Sequence, residues 1–441
     1  MTLRTGHQRP QDSLTARRKS RAFTLMELLM AIVAGMLVAM AAFMFSKTST
    51  RFFASEARIA SAQMSVIAGF QRLQADIARA GYLASPNVVR DKDFGRICAP
   101  NYTSWPASMK GTDGAGLAGI RITPGGSATN VTALPDANYP DTLRLLGSFA
   151  ATDLFPINSI EAGANGSTVY FASNNGPMSR HGVVDTTSMQ TVFKAGRLLR
   201  ILDQQGKQEY GIISDSAFPT AGQPTVYLSM FLPLKGDAGS LCGINGLGTG
   251  SQASVISQVE YGISRMSGLN GGNSKIYDKT IYSEAGTALG DNTRTELVRR
   301  EIAFTGTIPA LAADGNAEIV AEYAEDLRFG LWVGGAAGNA GLQYVTPSTA
   351  AIGTTTTPAG SYVQGVAASG PESVRAVEVR LVVRSREVEN MTAIDPTVTG
   401  GGTTLDGGYI FGFQLANNGG VARARTLIAN VALQNMRGDA W

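Results

Sequence analysis

Histidine and cysteine are nearly missing from this chain. Its 441 residues include two of each, His7 and His181, Cys98 and Cys242. Such widely separated residues form none of the close pairs from which structural zinc sites are built, so no metal is expected. Charge is sparse too, at 16% of residues, and the formal +3 is unevenly placed. Six bases (Arg4, Arg9, Arg17, Arg18, Lys19 and Arg21) stand against one acid, Asp12, in residues 1–22. The remaining 31 bases and 33 acids leave a net charge of −2, which gives no argument for a nucleic-acid partner. The GxSxG, HExxH and EF-hand patterns do not occur. One GxGxxG, residues 114–119, runs into Ile120-Arg121-Ile122-Thr123-Pro124. That stretch alternates like a strand, whereas a dinucleotide site needs a helix there, so the glycines read as a flexible loop. No catalytic residue or cofactor is singled out, and a non-enzymatic protein is expected.

Proline is absent from residue 23 to residue 85. Within that window, residues 23–45 are apolar apart from a single charge, Glu27. As a helix these 23 residues span roughly 34 Å, enough to cross a hydrocarbon core. Bases precede the span and few charges follow it, which by the positive-inside rule puts the N-terminus in the cytoplasm and the rest outside. Beyond Lys47, apolar residues recur at Phe52, Ile59, Val66, Phe70, Leu73 and Ile77. Steps of seven, four and three are a helical stripe. Residues 23–80 therefore read as one helix, apolar all round at first and amphipathic later, stopped by Gly81 and Pro86. The expected organisation is a cleaved leader over 1–22, a transmembrane or polymer-core helix over 23–45, its amphipathic half over 46–80, and an exported β-rich domain over 81–441.

Past Gly81 the period changes. Short β-type runs cover residues 142–146, 168–172, 225–230, 255–263 and 296–304. Residues 198–213 look like a hairpin turning near Gln205-Gly206. Val377, Val379, Leu381 and Val383 alternate with Glu378, Arg380 and Arg384, the signature of a half-buried strand. A last strand is expected over residues 425–433, and long Gly-rich loops over 108–140, 235–252 and 334–370. The fold class is α+β: a long N-terminal helix packed on an antiparallel sheet, with an enlarged, loop-rich β region. Arg299-Arg300 and the Arg384, Arg386 pair read as solvated strand faces, and His181 as part of a polar turn. In an oxidising compartment Cys98 and Cys242 are expected to form one disulfide; two buried thiols are the alternative.

The informative constellation is Arg17-Arg18-Lys19-Ser20-Arg21-Ala22 followed by Phe23-Thr24-Leu25-Met26-Glu27-Leu28-Leu29. A carboxylate in hydrocarbon costs several kcal/mol unless it is paired. Glu27 lies one helical turn from Phe23, whose amino group appears only if the chain is cut between Ala22 and Phe23. This stretch resembles the signal of type IV prepilins and type II secretion pseudopilins, normally a glycine and then Phe-Thr-Leu-x-Glu. It matches from Phe23 to Glu27 and departs at Ala22. A finer resemblance is to PilW-type minor pilins. It is carried by Leu73-Gln74-Ala75-Asp76-Ile77-Ala78-Arg79-Ala80-Gly81-Tyr82, by Val259 to Ile263, by Glu325 to Phe329, and by the closing segments 374–385 and 425–435. The J-type pseudopilin of type II secretion is a related reading.

The resemblance implies processing at Ala22 and Phe23 by a prepilin peptidase, N-methylation of Phe23, and Glu27 as its pairing carboxylate. It implies an inner-membrane protein with a periplasmic domain, which joins other minor pilins and the major pilin on an assembly platform, near a tip adhesin, and reaches the pilus surface. A membrane-anchored exported binding or hydrolytic domain that borrows the signal is the other class.

Overall fold

The computed structural model describes residues 24–88, 117–123, 140–172, 176–204, 206–219, 222–232, 247–265, 295–304, 317–334, 341–345, 371–389, 412–414 and 421–436. The chain divides into two compact units, residues 1–61 and 62–441. One helix, α1 (Leu25–Ala78), supplies residues to both. In the first unit every large apolar side chain described between Leu25 and Phe53 is exposed. The segment Leu25–Thr50 is long and apolar enough to cross a membrane.

The second unit begins with the amphipathic end of α1. Its strands are β1 (Ile120–Thr123), β2 (Thr142–Gly147), β3 (Phe155–Ala162), β4 (Ser167–Phe171), β5 (Leu198–Leu202), β6 (Gln208–Ala217), β7 (Thr225–Leu228) and β8 (Gln252–Arg265). They continue with β9 (Thr295–Ile302), β10 (Glu318–Glu322), β11 (Ala324–Gly334), β12 (Leu342–Val345), β13 (Val374–Glu389), β14 (Gly412–Gln414) and β15 (Val421–Ala432). Two short helices, α2 (Gly176–Arg180) and α3 (Thr186–Val192), follow β4. Every described pairing is antiparallel, and they form two sheets. The second has the order β12-β11-β13-β15-β14. In the first, β1, β2, β8, β9 and β10 lie side by side.

Strand β8 has two roles. Its later residues pair with β2 and β9, while its first residues pair with β5 and β3. Strands β3, β4, β7, β6 and β5 pair in turn, so they close a six-stranded ring through β8. Closure removes the unpaired edges that an open sheet would expose. The ring holds its own core, in which Phe155 lies 5.0 Å from Phe193 and 6.3 Å from Phe171, ring centre to ring centre. Met189 and Val192 of α3 belong to the same core. Asp185 caps α3 by accepting from the Ser188 N–H.

A larger core joins α1 to both sheets. Val66, Phe70, Leu73 and Ile77 meet Leu143, Leu145 and Tyr261 of the first sheet, and Leu327, Val379 and Leu381 of the second. Burial of each such aliphatic or aromatic side chain contributes ~1.5–3 kcal/mol, with the extended chain as reference. That matters because the last four turns of α1 are too short to be stable alone. The arrangement is the pilin-like one, a long N-terminal helix packed on antiparallel sheet.

The expected helix matches α1 to within two residues at each end, and Gly81 (φ 72°) provides the stop. Of its stripe, the Ile59 side chain lies outside the described residues. The expected strands at 142–146, 168–172, 225–230, 255–263, 296–304, 377–383 and 425–433 correspond to β2, β4, β7, β8, β9, β13 and β15. The hairpin of β5 and β6 turns beside Gly206 (φ 86°). Two stretches expected as loops carry strands, β1 within 108–140 and β12 within 334–370. β12 forms despite its Gly-rich surroundings because Tyr344 packs on Trp332 of β11, with ring centres 5.0 Å apart.

Candidate functional site on the N-terminal helix

The helix begins at Thr24. Its carbonyl accepts from the N–H groups of Glu27 (3.0 Å) and Leu28 (3.2 Å), and its hydroxyl accepts from the Glu27 N–H at 3.3 Å. That is the role of a helix cap, which satisfies amide groups the helix itself cannot. Glu27 therefore sits in the first turn, where the helix dipole favours a negative charge. It is exposed, and so are its apolar neighbours Met26, Leu28 and Met30. Ala22 and Phe23 lie outside the described residues, as do Cys98 and Cys242.

Further along, α1 has two unlike faces. Met64 (74% exposed) and Ile67 (48% exposed) point away from the stripe that enters the core. Phe52 and Phe53 are also exposed, in an edge-to-face pair 6.2 Å apart. On the packed side, charged residues at positions 72, 76 and 79 flank the stripe and tie it to the first sheet. Arg72 makes a two-pronged pair with Glu318 of β10, at 2.5 and 3.0 Å. Asp76 is buried and accepts from the Tyr261 hydroxyl (2.7 Å) and from Arg299 Nε (2.8 Å). Arg79 donates to the Ser148 carbonyl at 3.1 Å. Burial, together with the Asp76 carboxylate, pushes the Tyr261 hydroxyl far above the usual tyrosine range. Burial works to lower the Arg299 guanidinium, and Asp76 outweighs it and raises it.

Gly69 lets the two elements approach. A Cβ there would strike the Val320 carbonyl oxygen and lie 2.9 Å from its carbon. Past Ala78, the Asn435 side chain donates to the Ala78 carbonyl at 3.0 Å, which caps the C-terminus of α1 from the far end of the chain.

The arginines expected on solvated strand faces are instead buried or paired. Arg300 is 2% exposed and bonds Glu260 at 2.6 Å, while Arg144 holds the other oxygen of Glu260. Arg384 bonds Glu325 at 2.5 Å, both fully enclosed, and its guanidinium stacks 5.0 Å from the Tyr323 ring. Arg299 is the partner of Asp76 already described. Charge at alternate strand positions reads as solvent-facing when the strand has one wet side; these strands carry packing on both. The Arg386 side chain lies outside the described residues.

His181 occupies the expected polar turn, with its Nε2 3.1 Å from an Asp153 oxygen, and Asp153 accepts from Arg180 at 2.9 Å. The Arg180 guanidinium holds the Asp153 carboxyl below its ordinary value. Among the described residues no group of three or more His, Cys, Asp and Glu side chains is placed to hold a metal ion. The linkage of Arg72, Asp76, Tyr261 and Arg299 was not legible in advance. Its one sequence signal is the 72, 76, 79 spacing, which puts three charges on one flank of the stripe. Comparisons of the chain with family models, with curated proteins and with solved structures found no match.

Proposed function

We propose that the protein is a structural minor subunit of a type IV pilus, inserted in the inner membrane with its β-rich domain outside and then drawn into the filament. The observation that carries this reading is Glu27. It is the one charge of the apolar residues 23–45, and it stands in the first turn of a helix long and apolar enough to cross a membrane. A carboxylate there is costly in lipid unless a cation meets it. The amine released on the Phe23 side of a cut after Ala22 is such a cation, on the same subunit or on a neighbour. Met64 and Ile67 of α1 are exposed, which suits packing against the helices of other subunits. The second domain then contributes a folded surface, and its role is that of a structural or priming component joined to other pilins.

Two measurements test this. Mass spectrometry of the membrane-extracted protein is expected to find a chain that starts at methylated Phe23; a retained leader in cells with active prepilin peptidase refutes the processing. A deletion strain is expected to lose piliation and twitching while type II secretion continues. Loss of secretion with normal pili would assign the chain to the secretion pseudopilus instead.

A further inference from the structure

The six-stranded ring contains a group that its core does not explain. Glu209 lies on β6, opposite Ile201 of β5; Ile201 is opposite Ala253 of β8, and Ala253 is opposite Phe155 of β3. Side chains at directly opposite positions share a face, so Glu209 ends an inward row whose other members are Phe155, Ala253 and Ile201. It is 5% exposed, and its Oε1 has no hydrogen-bond partner. A buried, unpaired carboxylate oxygen is costly, whereas the protonated acid is far cheaper to enclose. The same row starts where the ring closes most thinly: β3 and β8 are opposite at only two described pairs, Phe155 with Ala253 and Pro156 with Gln252.

We propose that Glu209 makes the ring a pH-responsive element, closed while its carboxyl carries a proton and loosened along β5, β6 and the β3–β8 seam when that proton leaves. Two charged groups near it are engaged elsewhere. Arg200 lies on the opposite face of β5 and binds Gln208 and the Leu83 carbonyl. Asp203, in the hairpin turn, accepts from the Lys207 N–H. On the β3 side the His181 ring stands 5.8 Å from Phe155, with its Nε2 3.1 Å from Asp153, which is itself paired with Arg180.

Burial pushes the Glu209 carboxyl from 4.5 up to about 7, with the Tyr210 backbone N–H pulling the other way. The sign follows from proton binding. Between those values the closed ring holds a proton that the opened chain does not, so stability falls as pH rises from about 4.5 to about 7 and is flat above. The full difference corresponds to roughly a 300-fold change in the closed-to-open ratio.

The test is hydrogen exchange of the detergent-solubilised full chain between pH 5 and pH 8.5, corrected for the intrinsic exchange rate and read on peptides from β5 and β6. The wild type is expected to lose tenfold or more in corrected protection as pH rises. Glu209→Gln and Glu209→Met, which remove the titrating proton and keep the volume, are expected to hold constant protection. His181→Gln is expected to behave as the wild type. A wild-type profile independent of pH overturns the proposal. So does a loss that persists in both Glu209 variants, or one that vanishes with His181→Gln.

Discussion

The close approach of α1 to β10 at Gly69 gives a sharp test of the packing, because two effects oppose each other there. Glycine in a helix is about 1 kcal/mol worse than alanine, so Gly69→Ala should stabilise α1 if nothing stands nearby. Something does. The added carbon would lie 2.9 Å from the Val320 carbonyl carbon and 3.2 Å from its Cγ1, where carbon atoms rest at roughly 3.5–4.0 Å. It would also overlap the Val320 carbonyl oxygen, a backbone atom that cannot rotate away. Relief requires α1 and β10 to part by about 1 Å, an overpacking cost of ~1–3 kcal/mol. The same movement stretches the Arg72–Glu318 pair, half-exposed and contributing about 0–1 kcal/mol, and the more buried Asp76–Arg299 bond, of the kind that contributes ~1.5–3 kcal/mol when well made. The clash wins, and the expected net loss is about 2–4 kcal/mol. Urea unfolding of the detergent-solubilised full chain, read by pulse proteolysis, measures it. Gly35→Ala is the control, since nothing lies within 4 Å of its added carbon. A Gly69→Ala protein as stable as the wild type would show that α1 does not rest on β10.

Three further outcomes are expected. Asp76→Ala strands the Tyr261 hydroxyl and the Arg299 guanidinium in a largely buried site, and should lower unfolding stability by ~2–4 kcal/mol, while Asp76→Asn, which keeps an acceptor, should lose less. Arg384→Ala removes the guanidinium that bonds the buried Glu325 carboxylate, at a cost of ~3–5 kcal/mol by denaturant titration, and the double change Arg384→Met with Glu325→Leu should recover most of it. Glu27→Ala should insert in the membrane at least as well as the wild type yet co-purify poorly with other pilins; equal recruitment would remove Glu27 from the pairing role.

How much of this was legible depended on the distance over which each feature is encoded. The helix needs only its own residues: an apolar run, a stripe at steps of seven, four and three, and no proline up to residue 85. β2, β8, β13 and β15 announced themselves through alternation or β-branched density. β3 did not, because Pro156 and Glu161 dilute it, and it is held by pairing with β4 and β8. β11 carries Glu325, Asp326, Gly330 and Gly334, a composition that reads as loop. Gly330 is tolerated because the Tyr344 ring lies over it, a contact contributed by another strand. Closure of the ring and the burial of Arg300, Arg384 and Glu209 are properties of pairing partners far apart in sequence. By contrast the candidate site was almost wholly local. The order Ala22, Phe23, Thr24 to Glu27 stands in the chain as written, and the structure adds the Thr24 cap.

The cap that Asn435 places on Ala78 sets a schedule. Strand β15 lies between β13 and β14, Leu433 bonds the Arg375 carbonyl, and Met436 is fully buried in the core that receives Leu73 and Ile77. Chains are made from the N-terminus at about 5–20 residues per second. The stripe of α1 is thus finished about 350 residues, or roughly 20–70 seconds, before the strand that completes its cover. Throughout that interval Val66, Phe70, Leu73 and Ile77 have no finished core to enter, and the pairings they await are long-range ones that form slowly. Assembly of this domain is therefore a race between the last strand and aggregation. Loss of Leu433 to Met436 would act as a defect of α1, though those residues follow the stripe by about 350 positions.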